Sequence, residues 1–533
     1  MFESTQQDKL HTVGAYVSDM LLSSRSSAQT LRIIVSFFSG ALSVLAYAPF
    51  HIWILAPLTL ACPLLLSQRH KLTHNSLIWF AFGLGKFFIG SNWLRVSMIE
   101  YGDLPLYVAL LLLLVFNAYQ ALYPMLAGWL LQRLNPLGMY KITLMIFPVI
   151  WCFTEWLRGE LLTGFPWLWD GYVFVGSPFI HLAPYIGALG LTGISALIAA
   201  LLFSIISTKQ YKIPLIISCT LGFCTLLGYM LNPIENTGER VHVALVQGNT
   251  PQSIKWNPSY LKPSLDTQAT LSEAYWDKAD LIIWSESALA TSEKRIQSYL
   301  YRMDRIAKKH DVGLITGITQ HKNHKTYNGI LVLGNYEKEG VEQEGYHDNN
   351  ANRYQKAHLL PIGEYVPFED LLRPIAPFFN LPMSNFYAGD AKQNQLKAAG
   401  YTILPKICYE IAFAEALRAN FDDTTQILLT ISNDTWFGRS IGPAQHMQIA
   451  QMRAAEFGRP LLRGTNSGIT ASVNAKGEII KQAPVDQSTV LYGEIELTQG
   501  RTLFSYGGHS MILFICCLIF GWYYYLYRVR NQG

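Results

Sequence analysis

The chain has 533 residues, of which 50% are hydrophobic and only 15% are charged. This balance is typical of a bilayer protein rather than of a soluble enzyme of the same length. The formal net charge is only +4, and no basic run with interleaved aromatic residues occurs, so the sequence does not predict nucleic-acid binding.

The first part of the chain alternates apolar stretches with short polar loops. Most stretches approach the ~20 residues that cross a hydrocarbon core, although 52–67 and 142–157 are short. The predicted spans are 32–48, 52–67, 76–94, 105–131, 142–157, 183–206 and 213–231, with a further span at 510–527. The polar N-terminal segment shows no small-residue cleavage site, so the first span is expected to act as an uncleaved insertion signal.

Lysine and arginine residues indicate the orientation of these spans, because cytoplasmic loops carry an excess of them. They precede the first span and then fall in alternate loops: Arg25, Arg32, Arg69, Lys71, Arg133, Lys141, Lys209, Lys212, Arg528 and Arg530. Seven spans then place the following segment on the outer side of the membrane. The sequence therefore predicts a cytoplasmic N-terminal extension (1–31), a seven-helix transmembrane domain (32–235), an outer domain (236–505), and a C-terminal span with a cytoplasmic tail (506–533).

A second domain is predicted from Val241, where VHVALVQGNT begins a strand-like run. Strand patterns and helical patterns then follow one another, as in α/β domains. The predicted strands are 280–286, 312–319, 328–334, 401–408, 426–432, 461–474 and 490–497, and the predicted helices are 264–279, 293–310 and 444–457. Roughly 260 residues can bury a full core, so this segment is expected to form one domain.

Three residues of this domain form a chemically complete set. Cys408 and Glu286 each close a strand pattern, where an α/β sheet delivers reactive side chains, and Lys356 precedes a Pro- and Gly-rich turn. Cys408 is the only cysteine of the outer segment, so it has no disulfide partner there. Taken singly, each has a structural explanation as a buried thiol, a solvated glutamate or a surface lysine. Together they supply a base, a nucleophile and a cation for an oxyanion.

Four segments in this order resemble the carbon-nitrogen hydrolase (nitrilase) superfamily: LIIWSES, YQKAHLLPIGEYVPFE, KICYE and SNDTWFG. With VQGNTPQSIKW, GPAQHMQIAQMRAAEFGRPLLRGTNSG and the flanking spans, the chain closely resembles the apolipoprotein N-acyltransferase family from residue 32 to about 527. The resemblance implies an α/β fold class, with a nitrilase-like αββα sandwich beside a multi-span α-helical membrane domain.

The resemblance also implies roles for individual residues. Glu286 would be the base, Lys356 the oxyanion-stabilising cation and Cys408 the nucleophile. The supporting residues are Glu364 as a second acid near this triad, Tyr409 and Glu410 beside the nucleophile, and Trp256 on a loop over the site. For Tyr409, Glu410 and Trp256 a scaffold role is an open alternative. The pocket is expected to be shaped by Asn433, Trp436, Phe437 and His446, although a structural turn explains SNDTWFG equally well.

The chain departs from the family pattern at two places, and two of its predicted loops are rich in aromatic residues. The chain reads WSE around Ser285, where the family usually has WPE, and a polar extension of about 30 residues precedes the first span. The segment GFPWLWDGY matches loops that help to form the family's substrate entrance. The segment RPIAPFFNLPMSNFYAGD would expose an apolar patch to water unless it packs on lipid or an acyl chain.

The implied activity is a ping-pong acyl transfer at the bacterial inner membrane, with the catalytic domain on the periplasmic side. Cys408 would take the sn-1 acyl chain of a phospholipid donor and pass it to a diacylglyceryl apolipoprotein acceptor.

No cofactor, metal or nucleic acid is expected, and nothing in the sequence demands more than a monomer. A lowered thiol pKa beside the lysine is expected. The alternatives are a membrane-anchored amidase or nitrilase-type hydrolase, and a transporter or receptor with a degenerate outer domain.

Overall fold

The computed structural model describes residues 26–67, 72–334, 346–347, 351–361, 363–365 and 385–532. Most of the predicted N-terminal extension and most of the apolar segment RPIAPFFNLPMSNFYAGD lie outside these residues. The expectations for those two segments therefore stay predictions.

Each predicted apolar stretch of the membrane region contains a helix. The helices are α1 (Ser26–Leu42), α2 (Leu55–Leu66), α3 (Leu72–Gly90), α4 (Leu106–Leu134), α5 (Tyr140–Glu160), α6 (Ala183–Thr208) and α7 (Lys212–Met230). With 12 residues, α2 is about 18 Å long, which is shorter than the ~30 Å hydrocarbon core. After α3, a short helical segment at Leu94–Tyr101 is bent by 57° from it.

A buried polar cluster holds the loop after α5 against this bundle. Lys86 on α3 forms an ion pair with Asp170 of that loop, and both side chains are buried. Asp170 also accepts hydrogen bonds from Tyr47 Oη at 2.7 Å and from Trp151 Nε1 at 2.9 Å. Because a charge inside a bilayer is tolerated only when it is paired, this cluster anchors the segment GFPWLWDGY.

The second domain is built on two sheets. The strands of the first are β1 (Glu235–Gln247), β2 (Leu281–Trp284), β3 (Leu289–Ser292), β4 (Gly313–Lys322), β5 (Lys325–Gly334), β6 (Arg353–Gln355) and β13 (Thr489–Gln499). The strands of the second are β7 (Leu396–Ala398), β8 (Tyr401–Ile407), β9 (Ile427–Ser432), β10 (Leu461–Thr465), β11 (Ala471–Val473) and β12 (Ile479–Gln482). Their orders are β13-β1-β2-β4-β5-β6, with β3 beside β4, and β12-β11-β10-β9-β8-β7. The central strands β1, β2 and β4, and β8, β9 and β10, are parallel.

The two sheets pack face to face, with helices on their outer faces. The helices are α8 (Leu261–Ser272), α9 (Gln297–Lys309), α10 (Ala414–Arg418) and α11 (Gly442–Phe457), followed by the C-terminal α12 (Leu503–Gln532). Residues such as Ile283 from β2 and Leu429 from β9 share one core between the sheets. A second core lies between the first sheet and α8 and α9, and a third between the other sheet, α11 and the membrane region. The predicted αββα sandwich is confirmed.

The structure departs most from the predicted strands at two places. The stretch 461–474 is a hairpin of β10 and β11, because the chain turns at Gly468, whose φ of +107° favours glycine. Strand β1 begins at Glu235 rather than at Val241, since its exposed first residues pair with β13. The sequence prediction joined β10 and β11 across the polar turn NSGIT, and it missed the start of β1 because the extension is polar.

Two glutamates of the second domain cap broken membrane helices. Glu456 Oε1 accepts a hydrogen bond from the Ala188 N–H at 2.7 Å, directly after Gly187 breaks α6 at φ +60°. Glu415 Oε1 accepts one from the His509 N–H at 2.6 Å, directly after the break at φ +54° in α12. Carboxylates are favoured at such free helix N–H groups, so these contacts dock the sandwich on the bundle.

Candidate active site

Glu286 lies just beyond β2, at the carboxyl end of a buried parallel strand. It is buried, and each carboxylate oxygen has a hydrogen-bond donor. Asn328 Nδ2 donates to Oε1 at 2.8 Å, and the Asn433 N–H donates to Oε2 at 2.9 Å. The carboxylate is therefore held in one orientation at the sheet edge where the sequence predicts it.

Lys356 follows β6 and is also buried. Its Nζ forms an ion pair with Glu364 Oε2 at 2.7 Å. Asn328 Nδ2 donates to Glu364 Oε1 at 3.0 Å as well as to Glu286, and the Asn328 carbonyl accepts the Lys356 N–H at 2.8 Å. The cation, its partner carboxylate and the candidate base are thus assembled around one asparagine.

Cys408 begins the tight turn that follows β8. Its φ of +53° lies in the left-handed region, which residues with a Cβ rarely adopt. As a whole residue Cys408 is partly exposed, whereas the residues on either side of it are buried. The conformation turns the side chain out of the second sheet, at the end of the sandwich where Glu286 leaves the first sheet.

The three side chains act on one another electrostatically, so the structure brings them together. Burial alone lowers the pKa of Lys356, but attraction to Glu364, Cys408 and Glu286 outweighs it and raises the pKa above its usual value. Burial raises the pKa of Glu286, an effect that Lys356 opposes and Glu364 increases. A raised pKa makes a carboxylate a better proton acceptor at neutral pH.

The expected low pKa of the thiol is wrong for this structure. Burial raises the pKa of Cys408 to about 12, and Glu286 and Asp434 act in the same direction against Lys356. The cost of desolvating a thiolate exceeds the attraction of one lysine, most of whose charge is balanced by Glu364. The resting group is therefore a thiol, and its proton has to leave during the attack.

Glu410 joins the nucleophile turn to the Lys356 loop. Its side chain is fully buried, and Oε1 accepts the N–H groups of Ala357 and His358 at 2.7 and 2.9 Å. Oε2 accepts the Ile407 N–H at 2.9 Å, and Tyr354 Oη lies about equally near both oxygens. Both carboxylate oxygens already accept hydrogen bonds from the scaffold, so the geometry favours the scaffold alternative for this residue.

Tyr409 connects the same turn to the membrane region. Its Oη donates to the Gly164 carbonyl at 3.1 Å, and its ring stacks on Trp167. Trp167 is buried and donates through Nε1 to Gln445 Oε1 at 2.7 Å. The segment GFPWLWDGY therefore packs against the turn that carries Cys408. Its part in a substrate entrance stays a prediction.

Trp256 lies on a loop that two hydrogen bonds hold against the site. Asn433 Nδ2 donates to Gln252 Oε1 at 2.9 Å, and Lys255 Nζ donates to the Glu286 carbonyl at 3.1 Å. Within the described part of the chain, the buried Trp256 Nε1 has no hydrogen-bond partner. The indole is therefore free to donate to a group that enters the site.

The SNDTWFG segment has a double role. Asn433 holds Glu286, as described above, while Trp436 and Phe437 pack on the membrane region. The Trp436 carbonyl accepts from Ser97 Oγ at 2.6 Å, and the Phe437 ring lies 4.6 Å from that of Trp93. The turn therefore joins the base to the short helical segment after α3.

Sequence reasoning missed Asn328, Lys255, Asp434 and Arg463. Asn328 is a single polar residue without a spacing pattern, so nothing in the sequence distinguishes it, whereas Lys255 lies in the quoted segment VQGNTPQSIKW beside Trp256. Asp434 and Arg463 form a fully buried ion pair at 2.7 Å, and each lies in a motif quoted above. Opposite charges in two otherwise buried segments are a signal that favours pairing. Among the described residues no group of three or more His, Cys, Asp or Glu is placed to hold a metal ion.

Two family models match this chain. Residues 39–201 match the apolipoprotein N-acyltransferase N-terminal domain, and residues 242–503 match the carbon-nitrogen hydrolase family. A solved carbon-nitrogen hydrolase superfamily protein from Xanthomonas campestris is 18% identical with a TM-score of 0.36, and the match covers 48% of this chain and 91% of that chain.

Relatives named apolipoprotein N-acyltransferase match nearly the whole length. The protein from Shewanella oneidensis is 43% identical over 92% of this chain and 95% of its own. Those from Vibrio cholerae and Haemophilus influenzae are 40% and 38% identical, over 92% and 94% of this chain and 96% of each relative. Identity at this level along both parts shows common descent of the complete architecture, and the chain belongs to the apolipoprotein N-acyltransferase family.

Proposed function

We propose that this protein transfers the sn-1 acyl chain of a phospholipid, through a thioester on Cys408, to the α-amino group of an N-terminal diacylglyceryl-cysteine of lipoproteins. The observation that carries the proposal is the convergence of Glu286 and Lys356 from the first sheet with Cys408 from the second, at one end of the sandwich next to the membrane region. Family membership supports lipid and lipoprotein substrates.

The first step forms the thioester. Glu286 accepts the proton of Cys408 as Sγ attacks the ester carbonyl, and Lys356 stabilises the oxyanion of the tetrahedral intermediate. The ester C–O bond then breaks, and Glu286 returns the proton to the leaving sn-1 oxygen. The products are an acyl-enzyme and a lysophospholipid. The raised pKa values of both Glu286 and Cys408 suit this coupled proton transfer.

The second step transfers the acyl group. The lipoprotein amine attacks the thioester, Glu286 takes a proton from the attacking nitrogen, and the C–S bond breaks. Sulfur leaves as a thiolate and is reprotonated, so the enzyme is regenerated without a cofactor. The contacts of Tyr409 with the membrane loop support this assignment, because both substrates are anchored in lipid and their acyl chains need not enter water.

The proposal includes an arrangement in the inner membrane, with residues 236–505 in the periplasm. It rests on the alternation of basic loops and on the apolar helices of the described residues. The boundaries proposed are 1–31 for the N-terminal extension, 32–235 for the transmembrane domain and 506–533 for the last span and tail. The chain is proposed to act as a monomer.

Intact-protein mass spectrometry tests the mechanism. Purified protein is incubated with phospholipid and examined before and after neutral hydroxylamine, with Cys408→Ser as the inactive variant and Cys517→Ser, at an exposed thiol, as the matched control. We expect a hydroxylamine-labile acyl mass in wild type and Cys517→Ser only, and its discharge by a lipopeptide amine as an amide.

The same experiment separates the alternatives. Free fatty acid as the main product in the presence of the lipopeptide would favour a membrane-anchored hydrolase that lets water reach the thioester. Full activity after Cys408→Ala would favour a transporter or receptor. Lysophospholipid formation without an acyl mass would refute the covalent mechanism.

A further inference from the structure

A network beneath the nucleophile holds its backbone. The Cys408 carbonyl accepts a hydrogen bond from His446 Nε2 at 3.1 Å. His446 is fully buried on α11, between the rings of Trp167 and Phe437. Among the described residues, this histidine is the only side chain that donates a hydrogen bond to that carbonyl.

The contacts define which nitrogen of His446 donates to the turn. Since a carbonyl only accepts, Nε2 must carry a hydrogen. Nδ1 lies 2.9 Å from Arg463 Nη2, which only donates, and 3.2 Å from Asp434 Oδ1, which only accepts. Burial lowers the pKa of His446 and the Arg463 charge lowers it further, whereas Asp434 opposes both effects. Asp434 also forms an ion pair with Arg463 at 2.7 Å.

This arrangement has a consequence for the turn. A φ of +53° at Cys408 is unfavourable for a residue with a side chain and persists only where its surroundings hold it. Glu410 holds the N–H of Ile407 before the turn, and His446 holds the carbonyl of Cys408 within it. These two buried contacts, one at the residue before Cys408 and one at the Cys408 carbonyl, hold the backbone that carries the thiol.

We propose that His446 is a positioning residue for the acyl transfer: its Nε2–H holds the Cys408 carbonyl, so that the thiol faces Glu286 and Lys356. The inference rests on the proposed function. Arg463 and Asp434, which both contact Nδ1, act through His446 by holding its ring in place. Loss of the donor leaves the turn free to relax, and the sulfur then leaves the line of attack.

Three substitutions of His446 separate the hydrogen bond from simple packing. In His446→Gln the amide nitrogen lies as many bonds from the backbone as imidazole Nε2, so it can replace the donor. In His446→Asn the amide nitrogen matches Nδ1 instead and stops short of Cys408, and His446→Leu has no donor. The matched control is Gln451→Leu, which removes a buried hydrogen bond at 2.9 Å to Gly477 from the same helix.

The readout is the p-nitrophenolate burst from p-nitrophenyl acetate in full-length protein, after subtraction of Cys408→Ser. This small ester reports acylation of Cys408 without phospholipid or lipoprotein. We expect the Leu and Asn variants to slow the burst by about 10- to 100-fold, as displaced reacting groups do. We expect His446→Gln to stay within about threefold of wild type, and Gln451→Leu to be unchanged.

The ranking of the variants decides the inference. Equal slowing in all three His446 variants, or slowing in none, would overturn it, and if the Leu variant does not fold, the Asn and Gln pair decides alone. A wild type with a burst but without a thioester from phospholipid would refute the proposed acyl donor and leave this test intact. A wild type without a Cys408-dependent burst would overturn the positioning role.

Discussion

Glu410→Gln is the substitution whose effect the structure defines best. The glutamate accepts backbone N–H groups on both oxygens, from Ala357 and His358 on one side and from Ile407 on the other. A glutamine keeps one accepting oxygen. Whichever way the amide is oriented, its NH2 group faces at least one backbone N–H.

The loss of stability is smallest when the glutamine oxygen accepts the N–H groups of Ala357 and His358. The Ile407 N–H then loses its acceptor inside the protein, which costs about 1–3 kcal/mol. The other two hydrogen bonds change from a charged to a neutral acceptor, which costs about 1 kcal/mol each. The sum is about 3–5 kcal/mol. In a domain of this size each kcal/mol lowers the unfolding midpoint by about 2–4 °C, so we expect a fall of about 10 °C.

Thermal unfolding in detergent measures this change, and the mass assay for the thioester measures its catalytic effect. Because Glu410 joins the nucleophile turn to the Lys356 loop, we expect thioester formation to slow by about 10- to 100-fold. The matched control is Asp304→Asn on α9, where a buried carboxylate also accepts two backbone N–H groups, at 2.9 and 3.2 Å.

That control should lower the unfolding midpoint by about 5–10 °C and leave thioester formation within about twofold of wild type. A wild-type rate in Glu410→Gln, or the same loss of rate in Asp304→Asn, would refute the reasoning. The first result would mean that the two loops are held by other contacts. The second would mean that the rate follows global stability.

Three further outcomes follow from the charges. Burial raises the pKa of Glu286 above 4.5, so the rate of thioester formation should fall as the pH drops through that raised pKa. The Lys255 charge lowers the pKa of Glu286, so Lys255→Met should move this fall in rate to higher pH. Since burial raises the pKa of Cys408 to about 12, its alkylation by iodoacetamide should keep rising above about pH 9, and a plateau near pH 8.5 would contradict this. Glu456→Ala uncaps α6 and leaves a buried arginine unpaired, so the unfolding midpoint should fall by at least about 5 °C; an unchanged midpoint would contradict the docking role.

The sequence by itself determines the order of the elements and the place of the chemistry along them. Apolar length identifies the membrane helices because a bilayer tolerates little else. Glu286 and Cys408 were predictable as candidates because each follows the carboxyl end of a strand, where α/β sheets deliver reactive side chains. The residue types predict a base, a nucleophile and a cation, whereas acyl transfer was implied by the resemblance to the family.

The tertiary structure decides how these groups behave. The expected low pKa of Cys408 fails because desolvation depends on burial in three dimensions, which no local pattern encodes. Asn328 and His446 acquire their positions through contacts with residues 36 to 42 positions away in the chain. Sequence identifies chemical groups through local spacing, whereas their protonation and orientation depend on neighbours that only the folded sandwich and the membrane helices bring together.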